Sequence, residues 1–472
     1  MEPSESRNRM RIAALLFLVV AGYYWKLTLT RQFEWMNGAD IAEQVLPWFH
    51  IQAQEWHAGR LPLWDPYLWT GQPLFGQAIP GAAYPLNWML FLLPLKNGHI
   101  AGWALAWYYV AIHLMAAGFC YLFCRSFGRS RSASLAGGLV FGLSGFLGNT
   151  PWPVMMNGAV WIPLVFLFQL RASRRPRPAA NAALSGMFLG IAFLSGHHQI
   201  PIFTALAWMG VWIYLLARDR RLLVPAAVAL LFAGLCGAMQ TLPAYEYGHL
   251  AKRWVGGPEP IAWNQPVPYS VHAQYDLKAF SLFGIVFPGV KMHFDPFLGV
   301  VAFSLALFAV TALWRDARVR LLAALALAVV LYALGHNSVF QGVLYSVIPQ
   351  LDKARAPSSA MVLFQFACAA LAAFGIDGLA RSWNARGTWI LAGFGAFTLA
   401  IAEAMIIGNK LTFPADDRII LTAVIALAAA ALLAAWRRQA LTGTQARVLL
   451  VLLLLLELGN TGQYNQIGRA HV

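Results

Sequence analysis

The chain contains few charged residues. Asp, Glu, Lys and Arg make up 11% of its 472 residues, whereas a soluble domain carries roughly a quarter. Hydrophobic residues account for 59%. This composition excludes both an ordinary soluble domain and a disordered chain.

Cysteine and nucleotide-binding motifs are equally scarce. The four cysteines lie inside apolar stretches without metal-type spacing, so we interpret them as small buried hydrophobes. The sequence has no Gly-rich phosphate loop, no His-Glu-x-x-His motif and no nucleophile elbow. ATP-driven chemistry is therefore not expected in this chain.

Long apolar runs are abundant, and an apolar run of about 20 residues spans a bilayer. We count about thirteen. The first runs from about Ile12 to Leu29 and lacks an Ala-x-Ala cleavage pattern, which favours an uncleaved helix. The others centre near residues 112, 140, 165, 189, 209, 232, 304, 328, 370, 397, 427 and 452. We predict an all-α polytopic membrane protein forming a single domain over residues 1–466.

Arginine clusters give the orientation. Seven clusters, which together hold 21 of the 34 Lys and Arg residues, occupy every second loop. The positive-inside rule places these loops and the N-terminus in the cytoplasm. The net charge of +15 is thus a topology signal, and nucleic acid is not an expected partner. The clusters lie at residues 7–11, 125–131, 171–177, 218–221, 315–320, 381–386 and 437–447.

The opposite loops are longer and richer in acidic and aromatic residues, so we expect the site there. In the first of them, residues 31–99, Asp40, Glu43 and Gln44 would share one helix face. The carboxylates of Asp40 and Glu43 are candidates to deprotonate a hydroxyl or to hold a divalent cation against a phosphate. Gln44 would position a substrate. The plain alternatives are a helix cap for Asp40 and a water-facing carboxylate for Glu43.

The segment Leu61–Tyr67 combines prolines with large apolar side chains, which predicts an irregular stretch at the membrane interface. Trp64 would contact substrate there, and Asp65 would form a turn. Arg60, just before this segment, is a candidate ligand of a carrier phosphate, or of ordinary lipid headgroups.

Three later outer segments supply further candidates. His198 and Gln199 are candidate substrate contacts, although polar residues also collect at helix ends without a special role. Glu246 is either a second acidic group or an interfacial carboxylate facing water. Arg355 breaks the positive-inside trend, and we expect it to bind phosphate, the alternative being an ion pair with Asp352.

Two carboxylates, Glu403 and Glu457, lie deep in apolar runs. Intramembrane carboxylates are functional candidates by default. Neither has a basic partner nearby in the sequence, so we interpret both as bundle-facing hydrogen-bonding groups.

The first outer loop also resembles a known family. The pattern Gly-x-Asp-x-x-x-Gln-x-x-Pro over 38–47, followed by Gly59 and Leu61–Tyr67, is similar to the YfhO family of bacterial polytopic membrane proteins. Shorter matches follow in the family order. They are Gly196–Gln199, Gln240–Glu246, Phe287–Gly289 and Ala354–Ser359.

This resemblance implies a GT-C type glycosyltransferase of the bacterial inner membrane. Such an enzyme takes a sugar from a polyprenyl-phosphate carrier and passes it to a cell-envelope acceptor on the extracytoplasmic side. The expected catalytic group is the acidic residue of the first outer loop, which is Asp40 here. Related sequences carry a second arginine near Ser359, so in this chain a phosphate role rests on Arg355 and Lys353.

Two other functions stay open at this point. A lipid or lipid-linked sugar transporter would place its ionisable groups near the bilayer midplane, whereas this chain concentrates them in outer loops. A non-catalytic scaffold for envelope assembly is the third alternative. The sequence does not specify a metal.

The last six residues, 467–472, match the translation of a common sequencing-adapter sequence. We expect them to be an artefact, and we expect the natural chain to continue beyond Gln466.

Overall fold

A computed structural model describes residues 3–381 except 37, 39, 175, 291 and 292, parts of 389–401, residues 416–465, and 468–469. Nearly all regular structure in these ranges is helical, which confirms the all-α prediction. The first seventeen α-helices are α1 Pro3–Tyr23, α2 Trp25–Leu29, α3 Leu46–His57, α4 Pro85–Phe91, α5 Gly102–Ser126, α6 Arg131–Leu143, α7 Gly145–Asn149, α8 Pro153–Ala159, α9 Ile162–Ala172, α10 Pro178–Leu194, α11 Gln199–Leu216, α12 Leu223–Leu250, α13 Tyr269–His272, α14 Val300–Ala312, α15 Ala317–Ala333, α16 Val339–Val347 and α17 Met361–Arg381. Asp416–Arg437 and Gly443–Asn465 follow.

Two-residue strands pair in the connecting segments. They are β1 Phe33–Glu34 with β8 Gly468–Arg469, β2 Trp64–Asp65 with β3 Gln72–Pro73, β4 Leu95–Lys96 with β5 His99–Ile100, and β6 Lys252–Arg253 with β7 Ile261–Ala262, all antiparallel. The predicted irregular stretch Leu61–Tyr67 therefore contains one strand of a short antiparallel pair, whose other strand is Gln72–Pro73. The buried carboxylate of Asp65 accepts a hydrogen bond from the Tyr67 amide at 2.9 Å, as a turn-forming Asp does.

Among the residues that the structure describes, six helical segments are long and apolar enough to cross a membrane. They agree with the predicted spans near residues 112, 165, 209, 232, 370 and 427. The count of thirteen and the side of the N-terminus stay predictions. The six are Gly102–Ser126, Pro153–Ala172, Gln199–Leu216, Arg220–Leu250, Pro357–Leu379 and Ile420–Arg437.

Helix α17 is buried over residues 361–379, forms the centre of the bundle and packs against α6, α14 and α15. A second close pair is α10 with α12, where small residues let the backbones approach. A Cβ atom on Gly186 would lie 1.9 Å from the Ala229 carbonyl oxygen, so no larger residue fits there without a backbone shift.

Buried polar side chains fasten the first loop to this bundle. Tyr108 on α5 donates to Asn87 Oδ1 at 2.6 Å, and Asn157 on α8 donates to the Tyr108 hydroxyl at 2.6 Å. Asn87 also donates to the Gly81 carbonyl at 3.0 Å. These bonds join the loop to α5, which follows it directly, and to α8, which lies further along the chain.

The buried carboxylate of Glu457 binds the first turn of α14. Its two oxygens accept from the amides of Val300 at 2.5 Å and Val301 at 3.1 Å, which otherwise have no partner at a helix N-terminus. This contact confirms the interpretation of Glu457 as a bundle-facing hydrogen-bonding group. Glu403 lies outside the described residues.

Candidate active site

A cavity of about 410 Å³ lies at the end of the bundle where α14 and α17 begin. Segments that are far apart in the sequence line it together. They are Asp40 of the first loop, residues 149–152 with Met155, His197 with Gln199, Tyr275, residues 293–295, and residues 355–356. Asp40 of the first loop, the Gly196–Gln199 segment and the Ala354–Ser359 segment thus contribute to one cavity, whereas the Leu61–Tyr67 segment and the Glu246 turn do not line it.

Asp40 lies directly before a π-helical turn, Ile41–Val45. Its backbone is helical and its carboxylate caps no helix, so the capping alternative finds no support here. The side chain is exposed at the cavity. A carboxylate in this position can accept a proton from a bound hydroxyl group.

The loop between α10 and α11 turns sharply at Gly196, whose φ is +97°. A Cβ atom there would meet the Ala78 carbonyl oxygen at 2.4 Å, so glycine is required. The turn presents His197 and Gln199 to the cavity. Gln199 Oε1 accepts from the Ala356 amide at 3.1 Å, which fixes this loop to the segment that carries Arg355.

Arg355 is held by contacts other than the ion pair with Asp352, which was the alternative to phosphate binding. Its guanidinium donates to the Val255 carbonyl at 2.6 Å and lies 4.9 Å from the ring centroid of Tyr275. Asp352 instead accepts from the Val267 amide and pairs with Lys353 at 3.1 Å. Within the described residues Arg355 forms no ion pair with a carboxylate, so its charge is available to an anion.

The electrostatics around Arg355 favour an anion. Burial, followed by the charge of Arg253, lowers the pKa of His198 to about 4. Burial, followed by His198 and then by Arg253 and Arg355, lowers the pKa of His197 well below its usual value. Arg253 is exposed at the surface of its strand. Desolvation by nearby protein, followed by the charge of Arg355, lowers its pKa to about 10. Two arginines near two neutral histidines create a positive field that phosphate would balance.

His197 also offers an unpaired polar atom. Its Nδ1 is buried and has no hydrogen-bond partner within the described part of the chain. A buried polar atom without a partner is costly, which makes it a candidate ligand contact at this cavity.

The other wall of the cavity is acidic and aromatic. Asp295 accepts from the Asn149 amide group at 2.5 Å and from the Phe297 backbone amide at 2.9 Å. Trp152 and Phe294 line the same wall. Sequence reasoning missed Asn149, Asp295 and Arg253, although Asp295 follows closely on the Phe287–Gly289 motif.

Several predicted site residues lie elsewhere. Glu43 and Gln44 are exposed and do not line the cavity. Arg60 pairs with Glu55 at 2.7 Å, which lowers the pKa of the Glu55 carboxyl. Their roles in a site stay predictions.

Three further predicted residues also lie outside the cavity lining. Trp64 is 53% exposed in its short strand. Glu246 is exposed on the last turns of α12. His198 lies beside the cavity, with Nε2 3.4 Å from the Lys353 carbonyl oxygen, to which it donates.

The sequence does not decide whether the site binds a metal ion. Among the residues that the structure describes, no group of three or more His, Cys, Asp or Glu side chains is placed to hold a metal ion. Asp40 and Asp295 both line the cavity.

The described residues form an α-helical polytopic membrane protein with a cavity at one end of its helical bundle. No protein-family model and no curated protein matches the chain. Membership of the YfhO family therefore stays a prediction.

Solved structures of ArnT from Cupriavidus metallidurans share this fold. The structure of ArnT bound to undecaprenyl phosphate aligns with a TM-score of 0.52 at 14% identity, covering 95% of this chain and 76% of ArnT. Apo ArnT aligns with a TM-score of 0.50 at 13% identity over the same shares.

Proposed function

We propose that this protein is a membrane glycosyltransferase. It would transfer a sugar from a polyprenyl-phosphate carrier to a cell-envelope acceptor at the extracytoplasmic face of the bacterial inner membrane. The fold shared with ArnT, which binds undecaprenyl phosphate, supports the class of carrier.

One observation carries the proposal. Asp40 and Arg355, far apart in the sequence, line the same cavity of about 410 Å³. A carboxylate and a guanidinium without a carboxylate partner are the two groups that this reaction needs, one for the attacking hydroxyl and one for the departing phosphate.

The reaction would proceed by direct displacement. Asp40 takes the proton of the acceptor hydroxyl as its oxygen attacks the anomeric carbon, and the bond from that carbon to the phosphate oxygen breaks. Arg355 and Arg253 stabilise the negative charge that stays on the lipid phosphate. The polyprenyl tail would lie between membrane spans.

The test is Asp40→Asn in the full-length protein. Asn keeps the size of the side chain but accepts no proton, so transfer should fall by about 10²- to 10⁴-fold. The assay follows label from a panel of polyprenyl-phosphate sugars into envelope polymer of a deletion strain. Glu259→Gln, which removes an exposed carboxylate outside the cavity lining, is the matched control.

Unchanged transfer by Asp40→Asn would refute the assignment of the base. Uptake of lipid-linked sugar by proteoliposomes without any acceptor would favour the transporter instead. Unaltered envelope glycosylation in the deletion strain would favour a scaffold.

A further inference from the structure

A second cavity, of about 550 Å³, lies at the opposite end of the bundle. Helices α14 and α17 begin near the candidate active site. This cavity is lined by Thr311–Asp316, which form the end of α14 and the turn after it, and by Phe374 in the second half of α17. Arg129, between α5 and α6, completes it. Arginine clustering predicts that this end faces the cytoplasm.

Two arginine clusters from distant parts of the sequence meet here. Segments 125–131 and 314–320 together hold six arginines and a single acidic residue, Asp316. They are joined directly, because Arg318 donates to the Phe127 carbonyl at 3.2 Å and stacks on the Phe127 ring at 5.7 Å. The positive-inside rule accounts for the cations in each loop, but it does not account for Arg129 of one cluster and Arg315 of the other lining the same cavity.

The two nearest carboxylates are already engaged. Asp377 lies 3.8 Å from Arg129, whose side chain is 11% exposed and lies 4.3 Å from the Phe374 ring centroid. Asp316 caps α15 by accepting from the Arg318 amide at 2.9 Å. Within the described residues Arg315 is exposed and has no carboxylate partner, so the cavity carries excess positive charge.

We propose that this cavity binds the headgroup of an acidic phospholipid. Guanidinium groups bind a phosphate diester through charge-assisted hydrogen bonds. Trp314 lies at the rim of the cavity and is 52% exposed. Because exposed tryptophans favour the membrane–water interface, Trp314 would place the cavity at the level of the lipid headgroups. Leu313 adds apolar surface for the glycerol and the first acyl carbons. Basic pockets between membrane helices bind acidic lipids in this way. The proposal is independent of sugar transfer.

The test is native mass spectrometry of the full-length protein in detergent. Phosphatidylglycerol and phosphatidylcholine with identical acyl chains are titrated separately, and we expect tighter binding of phosphatidylglycerol. Arg315→Gln should weaken phosphatidylglycerol binding about fivefold. Arg220 is an exposed arginine of another loop at the same end, so Arg220→Gln should leave the affinity for phosphatidylglycerol unchanged within about twofold.

Trp314→Ala is the second variant, and it should weaken binding of the lipid but not of inorganic phosphate. Equal affinity for the two lipids would overturn the proposal, as would equal behaviour of Arg315→Gln and Arg220→Gln. Displacement of the lipid by inorganic phosphate at the same concentration would show a site for free phosphate instead.

Discussion

At the scale of single residues, the histidines beside the candidate site report on its electrostatics. Burial and Arg253 lower the pKa of His198 to about 4, from 6.5 for a free side chain. Between pH 4 and pH 6.5 the His198 side chain is therefore protonated in the unfolded chain but neutral in the native state. Stability should therefore decrease as the pH falls from about 6.5 to about 4.

His198→Gln tests this pH dependence. Glutamine keeps a donor for the Lys353 carbonyl but does not titrate, so proton uptake on unfolding near pH 5 should fall by about one. The measurement is denaturant unfolding in micelles at several pH values. His57→Gln, at an exposed histidine, is the control for general effects of the substitution. An unaltered slope of stability against pH in His198→Gln would contradict the prediction.

At the scale of structural elements, Gln365 organises one wall of the candidate site. This fully buried side chain on α17 donates to the carbonyls of Asp295 at 3.0 Å and Phe297 at 3.1 Å. Its oxygen accepts from Ser144 Oγ and from the Phe146 amide, both at 3.1 Å. One amide thereby holds the cavity segment around Asp295 against the break between α6 and α7.

Gln365→Leu should therefore be strongly destabilising. It leaves buried donors and acceptors without partners, which costs roughly 3 kcal/mol in the free energy of unfolding. Denaturant titration in micelles measures the loss. Gln54→Leu, at an exposed glutamine with one hydrogen bond to Gly98, should cost less than about 1 kcal/mol. Equal losses in the two variants would show that Gln365 has no special role.

At the scale of the whole molecule, the two cavities lie at opposite ends of α14 and α17, and orientation decides which faces the cytoplasm. The arginine clusters predict that the end near Arg315 is cytoplasmic. The candidate active site would then face outward, where an envelope acceptor is found.

Cysteine labelling tests this orientation. In a Cys236→Ala background, whose other three cysteines are buried, Glu259→Cys should react with an impermeant maleimide added to intact spheroplasts. Arg220→Cys should react after the membrane is permeabilised. The reverse pattern would invert the topology and would refute extracytoplasmic chemistry.

Sequence reasoning proposed site candidates where the signal is local. Asp40 was proposed through its motif and Arg355 through its position against the charge trend, and both side chains line the cavity. Asn149, Asp295 and Gln365 were missed because an amide or carboxylate in an apolar context carries no signal until its partners are known. Arg253 was missed because a single arginine in a long outer loop looks like an ordinary surface cation.

The sequence by itself determined the membrane class, the approximate positions of six spans and the likeness of the first loop to a known family. Run length and charge are properties of neighbouring residues, so they can be read without the fold. The tertiary structure alone decided that Asp40 and Arg355 line one cavity and that one arginine from each of two clusters lines another. Which side chains line a cavity depends on how helices distant in sequence pack. The small number of charged residues in this chain does not reveal that packing.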